Sequence, residues 1–199
     1  MAVEKVIYID ENINGFDLQQ ALQEVTPQRR EQALRYRNER DQRLCVAAYK
    51  LLQRALLQEY GISGQPELIY DQNGKPSLAA YPDIHISLSH CREAVACAVS
   101  DQSIGIDVET FEHYSEEVAR RALNDEEMRQ VLASPRPDVA FTRLWTMKES
   151  LFKLTGDDHG GDIAAMLDHA NRYCFSSIVM PRCIITVCSA QTAITNLQS

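Results

Sequence analysis

Two carboxylates, Asp107 and Glu109, sit two positions apart in the apolar run SIGIDVE at residues 103–109. Strand side chains alternate, so both acids project from one face beside Gly105, while Ile104, Ile106 and Val108 project from the other into a core. Two acids on one face require a cation: a lysine, an arginine, or a hard metal ion held by oxygen ligands. Gly105 would let a ligand come close to the backbone. A D-x-E pair alone is more often a solvated strand end, so its meaning depends on what else the chain carries.

A second cluster lies in the run LWTMKESLFK at residues 144–153, whose Glu149 is 40 residues past Glu109. Phe141, Leu144, Trp145, Leu151 and Phe152 recur at helical spacing, with Asp138 as expected N-cap and Gly156 as stop. Glu149 and Lys153 then share one face. By itself such an i, i+4 pair is ordinary surface decoration worth about 0.2–0.5 kcal/mol.

The elements that must position these residues follow from periodicity and turn chemistry. A strand is expected at 3–9, helix in two pieces over 26–60 with Gly61 as stop, and a short strand at 67–71. An Asn-Gly turn at 72–76 leads through Pro76 into extended chain. Three strands at 84–89, 94–100 and 103–109, joined by short polar links, predict an antiparallel meander, with Ser89 and His90 at a strand end. Helices follow at 115–123 and 125–133, the second with Asn124 and Glu127 placed as a capping box. After the helix ending at Gly156 come a loop at 157–161, a short helix near 163–169, and strands at 173–179 and 183–188. Helical material beside antiparallel strands in each half predicts α+β rather than a doubly wound sheet.

Composition narrows the class. The 199 residues carry a formal charge of −8, against a general nucleic-acid binder, yet residues 29–54 hold eight basic and three acidic side chains. Such a run is most often one solvated helix face; in an acidic protein it is also where a phosphate-bearing ligand or an acidic partner would be steered. Apolar stretches are too short to span a membrane and the first residues do not resemble a signal peptide, so the expected location is the cytoplasm. The six cysteines contain no C-x-x-C and read as small core residues of a reduced compartment. His85, His90 and Cys91 lack a fourth ligand at sensible spacing, and zinc is not expected.

The strand Gly105–Ile106–Asp107–Val108–Glu109, the helix Trp145–Thr146–Met147–Lys148–Glu149–Ser150–Leu151–Phe152–Lys153, the turn Gly74–Lys75–Pro76 and the pair Ser89–His90 occur together and in order. This combination resembles the 4′-phosphopantetheinyl transferase family, of the larger surfactin-synthetase-activating (Sfp) type, over roughly residues 3 to 190. The resemblance implies an α+β fold of two similar subdomains, 1–102 and 103–199, with antiparallel strands, pseudo-two-fold symmetry and a ligand cleft between them. It implies a transferase moving phosphopantetheine from coenzyme A to a serine of an apo acyl or peptidyl carrier protein and releasing 3′,5′-ADP. Fatty-acid, polyketide and nonribosomal-peptide pathways all use such carriers. A catalytically inactive coenzyme A or carrier-binding module of the same fold is the alternative, and a phosphohydrolase of nucleotides is a third reading.

By the same resemblance Asp107, Glu109 and Glu149 are ligands of Mg²⁺, and Glu149 is the base for the carrier serine, directly or through a water. Lys148 and Lys153 contact the phosphates; Ser89 and a protonated His90 do so as well. Gly74, Lys75 and Pro76 meet the adenine and ribose end, and Arg43, with Arg29 beside it, the 3′-phosphate. Leu44 and Gln32 stand where some relatives have a hydroxyl and a lysine. Arg29, Arg30, Arg120, Arg121 and Arg129 are the cations expected to meet an acidic carrier, or equally to form solvated faces. A monomer is expected, independent of nucleic acid and membrane.

Overall fold

Caps and stops divide the chain much as its periodicity predicts. A computed structural model describes residues 5–156, 161–168 and 170–191. In chain order the elements are β1 (Val6–Asp10), α1 (Leu18–Gln23), α2 (Pro27–Leu34), α3 (Glu39–Tyr60), β2 (Leu68–Tyr70), β3 (Pro76–Leu78), β4 (His85–His90), β5 (Val95–Ser100), β6 (Ile104–Thr110), α4 (Glu116–Ala122), α5 (Asp125–Ala133), α6 (Pro137–Thr155), β7 (Tyr173–Val179) and β8 (Cys183–Ala190). Thr26 and Pro27 start α2, Asn38 caps α3 by accepting the Asp41 N–H at 2.8 Å, and Gly61 ends α3 in the left-handed region. The capping box of Asn124 and Glu127 on α5 forms as expected. The short α1, capped by Asp17, was not expected from the sequence. The expected helix near 163–169 is instead a 3-10 turn at Ile163–Ala165, and its last residue lies outside the described set, as does most of the 157–161 loop.

Two expectations need correction. The N-cap of α6 is Arg136, with Pro137 at the first helical position, and Asp138 lies inside the first turn paired to Arg136 at 2.8 Å. Pro137 has no N–H to leave unpaired and its fixed φ suits the first turn, so it sets the start in place of the acid. Nor do β4, β5 and β6 form one meander. β5 lies between β1 and β4, antiparallel to both, which leaves it no free edge; β6 pairs antiparallel with β8, and β8 with β7. β2 and β3 make a separate hairpin.

The two three-stranded sheets pack through small residues. Ala94, Ala96 and Ala98 of the β5 region, all fully buried, share a cluster with Ile104, Ile106 and Val108 of β6 and with Ile185 and Val187 of β8. Val95, Cys97 and Val99 on the opposite face of β5 join Leu44, Ala48, Leu52 and Leu56 of α3. Period-two alternation in β5 thus serves a helix on one side and a second sheet on the other. β6 alternates likewise, and its second face, with Gly105 and Asp107, is turned to α6.

Along the line where β4 passes β6, serine hydroxyls take the place of carbonyls. Ser87 Oγ accepts the Ile106 N–H at 3.0 Å and Ser89 Oγ accepts the Val108 N–H at 3.3 Å, a parallel register between strands of different sheets. Gly105 has a different use from the one its place beside the acids suggests. A Cβ there would stand 2.0 Å from the Ser150 carbonyl oxygen and 2.7 Å from the Leu154 nitrogen. The glycine admits the backbone of α6, not a ligand.

Lys148 also departs from expectation. Its side chain is 0% exposed, and its ammonium donates to Glu127 Oε2 at 2.7 Å and to the carbonyls of Ile163 and Ala164 at 2.9 and 3.0 Å. All three protons are used. The pair ties α5, α6 and the 163–165 turn together behind the acidic face, so Lys148 is structural and is not presented to a phosphate.

Two changes check this packing by urea unfolding. Gly105→Ala is expected to cost about 1–3 kcal/mol, because both clashing atoms are backbone. Lys148→Met is expected to cost about 3–5 kcal/mol by stranding a buried carboxylate, and adding Glu127→Leu is expected to return much of it. An unchanged midpoint for Lys148→Met would remove the latch role.

Candidate active site

Asp107 is the centre of the site. It is 6% exposed, and its Oδ1 accepts from Ser89 Oγ at 2.9 Å and from Lys153 Nζ at 2.6 Å. Lys153 also donates to Ser89 Oγ at 2.9 Å. With the Val108 N–H, the Ser89 hydroxyl gives its one proton and fills both acceptor sites within the protein. Ser89 therefore positions Asp107 and Lys153, and in this arrangement has no capacity left for a phosphate. Ser87, one strand repeat earlier, was missed as a functional position, although two serines on the polar face of β4 were its signal.

Glu149 stands on α6 facing the same spot. Burial and then the Asp107 charge push its carboxyl pKa above the usual value, Glu109 adds to the rise, and Lys153 pulls it back. The Glu109 carboxyl is raised as well, by burial and by Asp107, against the Thr110 N–H and His113. Glu109 Oε1 accepts that N–H at 2.8 Å and stands 3.6 Å from His113 Nε2. So the structure brings Asp107, Glu109, Glu149 and Lys153 into one electrostatic cluster. Among the described residues no three His, Cys, Asp or Glu side chains close tightly enough to hold a metal as they stand. The donor chemistry nonetheless suits a hard divalent cation, because three acids share one ammonium and two of them resist ionisation through burial and the neighbouring Asp107 charge.

His90, at the end of β4, borders this cluster with its side chain exposed on one side. Crowding by surrounding protein and then Lys153 hold its imidazole pKa below the ordinary value, with Arg29 adding and Asp41 and Asp107 opposing. The ring is thus harder to protonate than a free imidazole, and pairing of a protonated His90 with a phosphate dianion would have to work against that shift. Arg29 is 8% exposed, donates to Tyr70 Oη at 3.1 Å and to Cys45 Sγ at 3.6 Å, and lies 5.3 Å from the Tyr49 ring centre. Among the described residues its guanidinium meets no carboxylate, and it acts on His90 as an uncompensated positive charge. Its burial takes it out of the set of surface cations for an acidic partner.

Arg43 is not brought to this place. Its guanidinium donates to the Phe16 carbonyl at 2.8 Å and to Glu39 at 2.9 Å, fixing α3 to the α1 approach. Leu44 is buried in the core under the first sheet, and Gln32 accepts from Tyr70 Oη at 3.4 Å. Gly74 sits at φ +79 in the β2–β3 turn, whose Asp71 accepts the Asn73 and Lys75 N–H groups. Lys75 Nζ donates to the Leu154 carbonyl at 2.8 Å and Asn73 Nδ2 to that of Gly156 at 3.0 Å, so this hairpin caps the C-terminus of α6. Burial holds the Lys75 pKa below its usual value. Pro76 opens β3 behind it. Arg120, Arg121 and Arg129 each pair with a glutamate of their own helix, and Arg30 donates to the Leu22 carbonyl. No described helix is long and apolar enough to cross a membrane.

Comparison with known proteins agrees with this arrangement. The sequence profile of the 4′-phosphopantetheinyl transferase superfamily matches residues 103–174, which hold Asp107, Glu109, Glu149 and Lys153. The chain is similar to the 4′-phosphopantetheinyl transferase Sfp of Bacillus subtilis (strain 168), with 29% identity over 153 residues, covering 75% of this chain and 68% of that protein. It is 32% identical over 136 residues to the 4′-phosphopantetheinyl transferase psf-1 of Bacillus pumilus, covering 66% of this chain and 58% of the relative. It is also 32% identical over 117 residues to the 4′-phosphopantetheinyl transferase AcpT of Salmonella typhi, covering 56% and 57%. With its motifs in the right order and its acids and lysine gathered on β6 and α6, the chain carries the 4′-phosphopantetheinyl transferase superfamily domain over residues 103–174 and is similar to these transferases beyond it.

Proposed function

We propose that the protein transfers 4′-phosphopantetheine from coenzyme A to a serine of an apo acyl or peptidyl carrier protein, releasing 3′,5′-ADP, with Mg²⁺ as cofactor. The observation that carries this reading is the convergence of Asp107, Glu109, Glu149 and Lys153 beside His90. The division into subdomains 1–102 and 103–199 about a pseudo-two-fold axis is part of the same proposal; each half offers one three-stranded sheet with one long helix against it.

Asp107, Glu109 and Glu149 would hold the metal, which supplies neutralisation of diphosphate charge when bound. Lys153, whose ammonium lies on Asp107 at the edge of these acids, would hold a phosphate oxygen. The carrier serine oxygen attacks the phosphorus bearing the pantetheine arm, its proton passes to Glu149, and the bond to 3′,5′-ADP breaks. Glu149 suits a base better than an ordinary surface glutamate because burial and neighbouring acids raise its proton affinity. Arg29 supplies the positive charge beside His90 where the phosphate of the nucleotide end would sit, and the Lys75 hairpin borders this place. A single chain supplies both halves of the cleft, consistent with a monomer.

Incubation with coenzyme A, Mg²⁺ and a panel of apo carriers is expected to add one phosphopantetheine mass to at least one carrier; folded protein that modifies none would overturn the reading. Glu149→Gln is expected to lower kcat by about 10²–10⁴-fold with the fold retained. Metal binding has a readout without turnover. The folded-state pKa values of Glu109 and Glu149 are raised, so the metal-free fold binds more protons than the unfolded chain and loses stability as pH rises through them. Mg²⁺ is therefore expected to raise Tm more at about pH 7 than at about pH 5. An equal shift at both would exclude these carboxylates as the binding groups.

A further inference from the structure

Five cysteines of this chain are buried and Cys174 is exposed, all as free thiols. Two of the buried ones, far apart in sequence, meet. Cys91 follows directly on β4 and Cys183 opens β8; both lie in the buried cluster between the two sheets, where each thiol shifts the pKa of the other. The serine seam accounts for the meeting. Ser87 is level with Ile106 and Ser89 with Val108, so the next position on that face, Cys91, comes level with Thr110, whose ladder partner on β8 is Cys183.

The surroundings of Cys91 differ from those of the other buried thiols. Its Sγ accepts the Glu93 N–H at 3.4 Å. Cys183 lowers its pKa below the usual thiol value, burial opposes this, and the Glu93 and Ala94 backbone add to the lowering. Burial instead pushes the Cys97 thiol up and the Cys188 thiol up to about 12. The lowered member of the pair is thus the better nucleophile. A pocket of about 350 Å³ opens beside the chain segments that carry the pair, lined by Arg92 and Glu93 after Cys91, Phe111 and Glu112 after Thr110, and Pro181 and Arg182 before Cys183.

We propose that Cys91 and Cys183 are a modification site that a hydroperoxide converts to a disulfide, with Cys91 as the attacking thiol. The Cys91 thiolate attacks one peroxide oxygen, the O–O bond breaks, and a sulfenic acid and one water form. Cys183 sulfur then attacks the Cys91 sulfur and expels the hydroxyl as a second water. Two thiols lose two protons and two electrons, and the peroxide takes them up. The bond would clamp the end of β4, carrying Ser89 and His90, to the strand paired with Glu109. It stands apart from the transferase reading, since neither thiol belongs to the acid–lysine cluster.

The reduced full chain is treated with hydrogen peroxide, quenched with N-ethylmaleimide, and mapped by mass spectrometry without reduction. Expected are the loss of two hydrogen masses, a linked Cys91–Cys183 peptide pair, and reversal by dithiothreitol. Cys91→Ser is expected to abolish that pair; if this variant does not fold, the wild-type map decides alone. Recovery of Cys91 and Cys183 as separately alkylated thiols while exposed Cys174 has been oxidised would overturn the proposal. So would a map in which Cys174 and Cys188, which lie on paired strands, form the sole crosslink.

Discussion

The acid–lysine cluster depends on two hydroxyl groups standing where strand-to-strand bonds would otherwise be. β4 and β6 are edges of different sheets, and two buried amides of β6 would be orphaned if nothing met them, at about 1–3 kcal/mol each. Ser87 and Ser89 meet them. Because a serine reaches less far than a full ladder and bonds only at alternate residues, the sheets stay distinct yet hold one register. That register sets Ser89 against Asp107, and the alanines of β5 are small enough to let the sheets close behind it. Moving β6 by one residue would turn Asp107 and Glu109 into the apolar layer.

Charge then sorts itself by helix geometry. Lys148 and Lys153 are five residues apart on α6, about 140° around the axis, so one helix delivers one lysine inward and the other to the acids. Lys148 neutralises Glu127 on the buried side. Lys153 faces Asp107, with Glu149 one turn earlier on its own face. The result is a site with three acids against one ammonium, an imbalance that favours an incoming cation.

Much of this was legible in the sequence because it is local. The faces of β6, the cap of α5, the stop at Gly61 and the shared face of Glu149 and Lys153 follow from period and turn chemistry alone. What was illegible depends on partners distant in sequence. The departure of β6 from the meander could be known only once β1 was seen to fill the other edge of β5. Gly105 looked like a ligand contact because α6 could not be placed against it. Arg43 and Lys148 carried the right charge at the right motif positions, but the Phe16 carbonyl and Glu127 claim them first. Arg29, read as one of several surface cations as well as a phosphate contact, is buried, and its uncompensated charge is visible only with Tyr49 and Tyr70 around it.

The hairpin carrying Gly74, Lys75 and Pro76 belongs to the first half of the chain yet closes the last turn of α6 in the second. Its lysine and asparagine satisfy carbonyls at the negative end of that helix, one turn beyond Glu149 and beside Lys153. Anything that drew Lys75 away would therefore uncap the helix end that bears Glu149 and Lys153, so the turn in the first half of the chain governs how firmly the second half holds its charged groups.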